Sequence, residues 1–248
     1  MGVQITCGLI VLVLSSVLAM AGMGAAFIFI PIFYWLGIPL NIAIPTGPFL
    51  NGVSLTAASH RNIRRKLVPF ALVLPIAVVS LFMAPLSAYS SQFVERRILL
   101  GFFARFLIFA GFMILFYRPK TRRRELSKIK NVVSGLTIGA FAGYLSGLLG
   151  VGGGGFISPA LISLGHEAKK VAAATAFIVP FSSYAGFFTY LAMGHIRFPL
   201  LVITGIAAII GGLLGTWLMN EKMKSLQGRR TIGFVILAVG AKVIYGLV

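Results

Sequence analysis

Eight apolar runs divide this 248-residue chain, and most are close to the roughly 20 residues that a helix needs to cross a bilayer. They extend from Ile5 to Leu36, Ile42 to Ser59, Leu67 to Tyr89, Ile98 to Tyr117, Val132 to Leu164, Val171 to Met193, Phe198 to Met219 and Thr231 to Val248. Short gaps separate them, and those gaps hold nearly all of the Lys and Arg. The net charge of +18, from 22 basic and 4 acidic residues, would point to nucleic acid in a soluble protein. Basic residues spaced by hydrocarbon-length runs cannot line one groove, however, so a nucleic-acid partner is excluded. With 58% hydrophobic and 10% charged residues, the pattern is that of an all-α polytopic membrane protein obeying the positive-inside rule, its surroundings the lipid bilayer.

The single cysteine, Cys7, lies inside the first run, so no disulfide framework or cysteine metal cluster forms within one chain. Ile5 to Leu18 followed by Ala19-Met20-Ala21 resembles a secretory signal. No Lys or Arg precedes it and the same block recurs in mid-chain, so it is read as mature protein.

The chain repeats itself. An offset of 128 superposes Gly22 on Gly150, Gly24 on Gly152, Pro31 on Pro159, Leu36-Gly37 on Leu164-Gly165, Phe49 on Phe177, Ser54 on Ser182 and Ala57 on Ala185. These are eight identities in 36 ungapped positions, against about three expected from so biased a composition. Further on the offset becomes 133, with Ile63-Arg64 over Ile196-Arg197 and Arg96-Arg97 over Arg229-Arg230. The expected organisation is a first transmembrane repeat over 1–118, a basic cytoplasmic linker over 119–130 and a second repeat over 131–248. From Arg118 to Lys130 the joint holds seven basic residues and one Glu.

Each repeat opens with a block too long for one comfortable helix, broken by glycine and then proline. Two shorter segments fit better, Ile5 to Ala21 with Ala25 to Leu36 and Val132 to Leu149 with Gly155 to Leu164. Charge discriminates between topologies. If each long block crosses once, the basic residues in the gaps divide 12 to 8 between the two sides. If each crosses twice or dips in and returns, the halves are inverted and the division is 17 to 3. The more asymmetric partition predicts inverted halves, about eight full spans with broken or re-entrant glycine-rich elements, and both termini outside.

Candidate chemistry concentrates at the breaks. From Gly150 to Gly155 five of six residues are glycine, in a setting where each costs about 1 kcal/mol relative to alanine in a helix interior. Close helix packing explains part of this. Four consecutive glycines followed by Pro159 read better as an unwound segment whose free amides and positive half-helix terminus suit an anion. The candidate residues are Gly150, Gly152, Gly153, Gly154, Gly155 and Pro159 with their counterparts Gly22, Gly24 and Pro31. Neutral donors at membrane depth follow each break: Thr46 and Asn51 in the first half, Thr175 and Ser182 in the second, with interhelical hydrogen bonding as the alternative use. Arg105 and Lys242 are the two basic residues inside apolar runs; they are anion-attracting candidates, or they snorkel to a run end. His60, His166 and His195 sit at run ends and read as interfacial.

Enzyme patterns are missing. Ser146-Gly147 lacks the flanking glycine of an intramembrane serine protease motif, His166-Glu167 is followed by Ala-Lys-Lys rather than x-x-His, and no Lys-Ser/Thr follows the glycines as a phosphate loop requires. The reading is a non-enzyme without cofactor or metal.

The glycine run from Gly150 to Pro159, its Leu164-Gly165 sequel and the Ala-Thr segment at 173–175, duplicated around a basic central loop, resemble the sulfite exporter TauE/SafE family of membrane permeases. In the first half Ala25-Ala26 stand where the family pattern has glycines. The resemblance implies a plasma-membrane (inner-membrane), multi-pass permease that moves small anions such as sulfite or organosulfur anions by alternating access. From the residues themselves, the expectation is that the two breaks meet near the midplane, where amides of Gly152 to Gly155 and of the first-half counterpart, with Thr46, Asn51, Thr175 and Ser182, hold the anion between rocking halves. The resemblance leaves direction of transport, coupling ion and oligomeric state open. A non-transporting membrane scaffold or assembly factor is the competing class.

Overall fold

Backbone polar groups inside a bilayer must be satisfied within the protein, so each helix end there needs a structural cause. The computed structural model describes residues 2–20, 22, 24–95, 98, 101–102, 104–105, 108–109, 111–112, 115, 128–150, 152–164, 166, 168–192, 196–221, 237 and 241. Within them the chain forms α1 (Gly2–Met20), α2 (Ala26–Trp35), α3 (Leu40–Arg64), α4 (Phe70–Ser90) with a 3-10 turn at Ser91–Phe93, α5 (Lys128–Leu149), α6 (Gly154–Ser163), α7 (Ala168–Ala192) and α8 (Phe198–Glu221). Among the described residues there is no strand. Both long opening blocks are split where glycine predicts, into α1 and α2 and into α5 and α6. The described residues between 98 and 115 are helical, as are Leu237 and Ala241. The basic linker from 119 to 127 lies outside the described residues.

Among the described residues four helices are long and apolar enough to cross a membrane: Phe70–Ser90, Val132–Leu149, Lys169–Ala192 and Phe198–Met219. The α7 window is 72% buried while those of α4 and α5 are 39% buried, which makes α7 an inner helix and the other two peripheral. At 25 residues α3 is as long as α7, yet it is too polar to join those four. Part of its polarity is enclosed: Thr46, Asn51, Ser54, Ser59 and Asn62 are all buried.

Residue pairs fix the relative directions. Phe49 meets Phe187, Asn51 meets Ser183 and Thr56 meets Tyr184, so α3 and α7 are antiparallel. On α5, Gly139 faces Ile76, Gly143 faces Ser80 and Gly147 faces Ala84, so α4 and α5 are parallel. Gly8 faces Ile203 and Gly215 faces Ser16, which makes α1 and α8 parallel; Gly205 by Phe49 and Gly212 by Ser54 align α3 with α8. Phe70 on Phe177 and Ser91 on Tyr190 align α4 with α7. Thus α1, α3 and α8 run one way and α4, α5 and α7 the other. Helices that correspond under the 128-residue offset, α1 and α5, α3 and α7, α4 and α8, point in opposite directions.

The shared end of α3 and α8 carries an ion-pair cluster. Arg61 and Arg65 both reach Glu221 Oε1, at 2.9 and 2.8 Å. Partial desolvation opposes ionisation of Glu221, but the Arg65 hydrogen bond and the charges of Arg61 and Arg65 outweigh it and hold the carboxyl below its ordinary range. The gaps that begin at residues 60 and 220 therefore lie at one end of the molecule.

Glycine at every fourth position of α5, from Gly135 to Gly147, lets the α4 backbone approach closely. A Cβ at Gly143 would lie 2.6 Å from the Ser80 Cα, whereas one at Gly186 on α7 would meet nothing within 4 Å. Alanine is the better helix former by about 1 kcal/mol, so the two sites should respond with opposite sign. Gly186→Ala is expected to raise the thermal midpoint of the detergent-solubilised protein and Gly143→Ala to lower it, measured by intrinsic fluorescence during heating.

Candidate functional site

Each half breaks its first block through left-handed glycines. Gly22 and Gly24 have φ of 66° and 71°; Gly150, Gly152 and Gly153 have 66°, 80° and 66°. Counterpart positions differ at one point, because Gly153 caps α6 in the left-handed region while Ala25 caps α2 at φ −115°, which any residue adopts. That difference accounts for Ala25 standing opposite Gly153. The first break is therefore complete without the extra glycines.

Asn51 of α3 joins the two breaks. Its side chain is fully buried, its Oδ1 accepts from the Ala25 backbone N–H at 3.0 Å, and its Nδ2 donates to Ser183 Oγ at 3.1 Å. A Cβ on Gly24 would fall on Asn51 Oδ1, and a Cβ on Gly152 would fall on Asn51 Nδ2. The carboxamide thus occupies the space that absent side chains leave at both breaks. Around it the backbones also approach closely: Gly22 lies on the Ala172 carbonyl, and Gly150 lies near the Ile44 carbonyl, positions that correspond under the 128-residue offset. Pro48 has no N–H to give to the Ile44 carbonyl four residues back.

Both α2 and α6 begin beside this junction: the Ala25 amide at the start of α2 donates to Asn51, and Gly152, two residues before α6, packs against its carboxamide. A helix N-terminus holds amides without intrahelical acceptors and the positive end of the macrodipole. Ala25 gives its amide to Asn51, and the Gly154 amide turns back to the Gly152 carbonyl at 2.7 Å. Side chains and backbone in these contacts are neutral: Gly24, Ala25, Asn51, Gly152 and Ser183. The junction therefore offers positive electrostatic character from oriented dipoles rather than from ionised groups. Among the described residues no three metal-ligating side chains gather, and no metal centre is assigned.

The other hydroxyls are already engaged. Thr46 donates to the Ile42 carbonyl at 2.6 Å and Ser182 to the Val179 carbonyl at 3.1 Å, each on its own helix. Thr175 donates to the Val171 carbonyl at 2.9 Å and meets Ser158 Oγ at 3.1 Å, which ties α6 to α7. All three retain lone pairs but have placed their protons on backbone. Pro31 is buried within α2, Gly155 is buried at the start of α6, and Pro159 lies within α6. Arg105 is exposed on the helical residues between 98 and 115, and Lys242 lies outside the described residues. Of the histidines, His60 is exposed, His166 is half-buried in the turn between α6 and α7, and His195 lies outside the described residues. Burial, and then the charge of Lys170, lower the His166 pKa.

Two residues of the junction lie beside the named candidates within the same polar segments. Ser183, one position past Ser182, is the hydroxyl that reaches Asn51. Gly52, one past Asn51, gives room to the Tyr184 ring, whose atoms would lie 2.8–3.0 Å from a Cβ at that position. Both are displaced by a single residue from a candidate, a distinction that polarity alone does not make.

Comparison with known proteins agrees with this architecture. The family model for the sulfite exporter TauE/SafE family matches residues 7–243. A probable membrane transporter protein of Methanocaldococcus jannaschii is 26% identical over 95% of this chain and 92% of its own length. A probable membrane transporter protein of Bacillus subtilis, YunE, is 33% identical over 45% of this chain and 41% of its own length. Sulfite exporter TauE/SafE family protein 1 of Arabidopsis thaliana is 34% identical over 40% of this chain and 21% of its own length. With a match spanning nearly the whole sequence, on an all-helical bundle broken by paired glycine segments, the chain belongs to the sulfite exporter TauE/SafE family.

Proposed function

We propose that this membrane transporter carries small sulfur oxyanions, sulfite or organosulfonates, across the plasma membrane and binds them where α2 and α6 begin. The observation that carries the proposal is the convergence of two helix N-termini on one neutral, fully buried amide, Asn51. An oxyanion there would meet backbone amides and the Asn51 and Ser183 donors, with no fixed cation to trap it. Binding of this kind is weak enough to reverse, since a helix terminus contributes about 0.3–1 kcal/mol at ordinary sites and up to about 2 where partly buried.

Alternating access follows from an inverted-repeat reading of the helix directions. Opposed orientations of α1 and α5, α3 and α7, and α4 and α8 support two halves that rock about the Asn51 junction. The proposed cytoplasmic face is the end that bears Arg61, Arg64, Arg65 and Lys66 beside the end of α8, together with the basic linker. The Arg61 and Arg65 contacts to Glu221 support placing these segments on one side.

Reconstitution in proteoliposomes loaded with sulfite, methanesulfonate or benzenesulfonate tests the proposal, read as counterflow of labelled anion. Flux above protein-free vesicles is expected for at least one anion. No flux for any of them would overturn the reading and favour a non-transporting scaffold. Asn51→Asp can still accept from Ala25 while it adds a negative charge at the junction. It is expected to leave a folded protein by size-exclusion chromatography and to cut anion flux at least about tenfold, equivalent to about 1.4 kcal/mol. Gly152→Ala, whose Cβ would fall on Asn51 Nδ2 at a left-handed φ, should lose flux as well.

A further inference from the structure

One face of α3 leads away from the junction in polar steps. Gly52, Thr56, His60 and Arg64 are spaced four residues apart, so they stack along a single slowly winding stripe. Gly52 is buried beneath the Tyr184 ring, and Thr56, His60 and Arg64 are exposed. The Thr56 hydroxyl pairs with the Tyr184 hydroxyl at 3.1 Å. On the antiparallel partner the corresponding stripe, Pro180, Tyr184, Phe188 and Ala192, offers aromatic and aliphatic groups beyond that hydroxyl.

Exposure in this position has a physical constraint. Polar and ionisable groups on a membrane helix are costly against lipid and therefore face the protein interior or a water-filled cavity. From Ile42 to Asn62 the rest of the helix is buried or half-buried, Ile63 is exposed beside Arg64, and the stripe ends among Arg61, Arg64, Arg65 and Lys66. Two of these cations are occupied by Glu221, while Arg64 continues the stripe. Its exposed members, Thr56, His60 and Arg64, are polar and increasingly basic toward the helix end, which complements an anion drawn from water.

We propose that the Thr56–His60–Arg64 face of α3 is the wall of an aqueous anion vestibule, closed at its inner end by Tyr184. This rests on the transport reading of the Asn51 junction and adds a path and a size filter to it. Tyr184 lies between vestibule and junction because its ring covers Gly52, the neighbour of Asn51, and its backbone neighbour Ser183 is hydrogen-bonded to Asn51. The Thr56–Tyr184 hydrogen bond holds the ring in place. An anion passing inward must displace the ring, and the room it frees sets how large an organic group can accompany the oxyanion.

Cysteine accessibility tests the vestibule, since the one native cysteine, Cys7, is buried. Thr56→Cys and His60→Cys, each with Cys7→Ala, are reconstituted and treated with a negatively charged, membrane-impermeant thiosulfonate. Phe82→Cys on α4, where the native side chain is 68% exposed, serves as the lipid-facing control. Labelling at least about tenfold faster than at residue 82, and slowed by methanesulfonate, is expected for groups in a water-filled anion path. Labelling no faster than the control would overturn the proposal. Flux by the unsubstituted protein without aqueous labelling removes the vestibule alone, and labelling without flux by that protein removes the transport reading alone. For the filter, Tyr184→Phe and Tyr184→Ala are compared by the ratio of benzenesulfonate to methanesulfonate flux. A ratio raised severalfold in the alanine variant, or raised in the phenylalanine variant if alanine fails to fold, supports a size gate; an unchanged ratio overturns it.

Discussion

A backbone unwound inside a bilayer is tolerable only where other groups occupy its polar atoms and the space around them. The Asn51 carboxamide meets that constraint at both interruptions of this protein. It accepts the Ala25 amide at one break, packs on Gly152 at the other, and reaches Ser183 on the opposing inner helix. Substitutions at Gly24, Gly152 or Asn51 therefore all act on one shared volume. The same side chain that completes the fold at this depth also gathers two helix N-termini, so stability and the proposed anion site depend on one set of contacts.

Glycine serves two different ends in this chain. At every fourth position of α5 it permits a parallel neighbour to approach through backbone contacts while the helix remains intact. At Gly152 and Gly153 it permits left-handed conformations that end one helix and begin another. Positions related by the 128-residue offset differ here: α2 begins with Ala25 in an ordinary conformation with its amide held by Asn51, while α6 begins with Gly153 in a left-handed one. The halves therefore present unequal faces to anything bound between them.

Charge is kept away from the junction. Glu221 gathers Arg61 and Arg65 at the helix ends, and the described groups around Asn51 are neutral. For the proposed anion site this means attraction by fixed dipoles without the deep well that a buried cation would create.

Apolar run length, basic gaps and the 128-residue self-similarity made the membrane class, the helical architecture and the places of both breaks legible in the sequence. Those properties are local or periodic, and hydrocarbon thickness and glycine conformation act on them directly. Family membership was legible for the same reason, since its motif is the break itself. Which polar residue reaches which partner was not. Thr46, Thr175 and Ser182 looked equivalent to Asn51 by depth and polarity, yet a hydroxyl bonds readily to its own helix three or four residues back, and these do. A carboxamide in mid-helix extends beyond its own backbone, and only the crossing of α3 over α7 puts Ser183 and the Ala25 amide within its reach. The sequence alone determined the medium, the helices and where they break; the tertiary structure decided that the breaks meet, because that depends on helix crossings between residues more than a hundred positions apart.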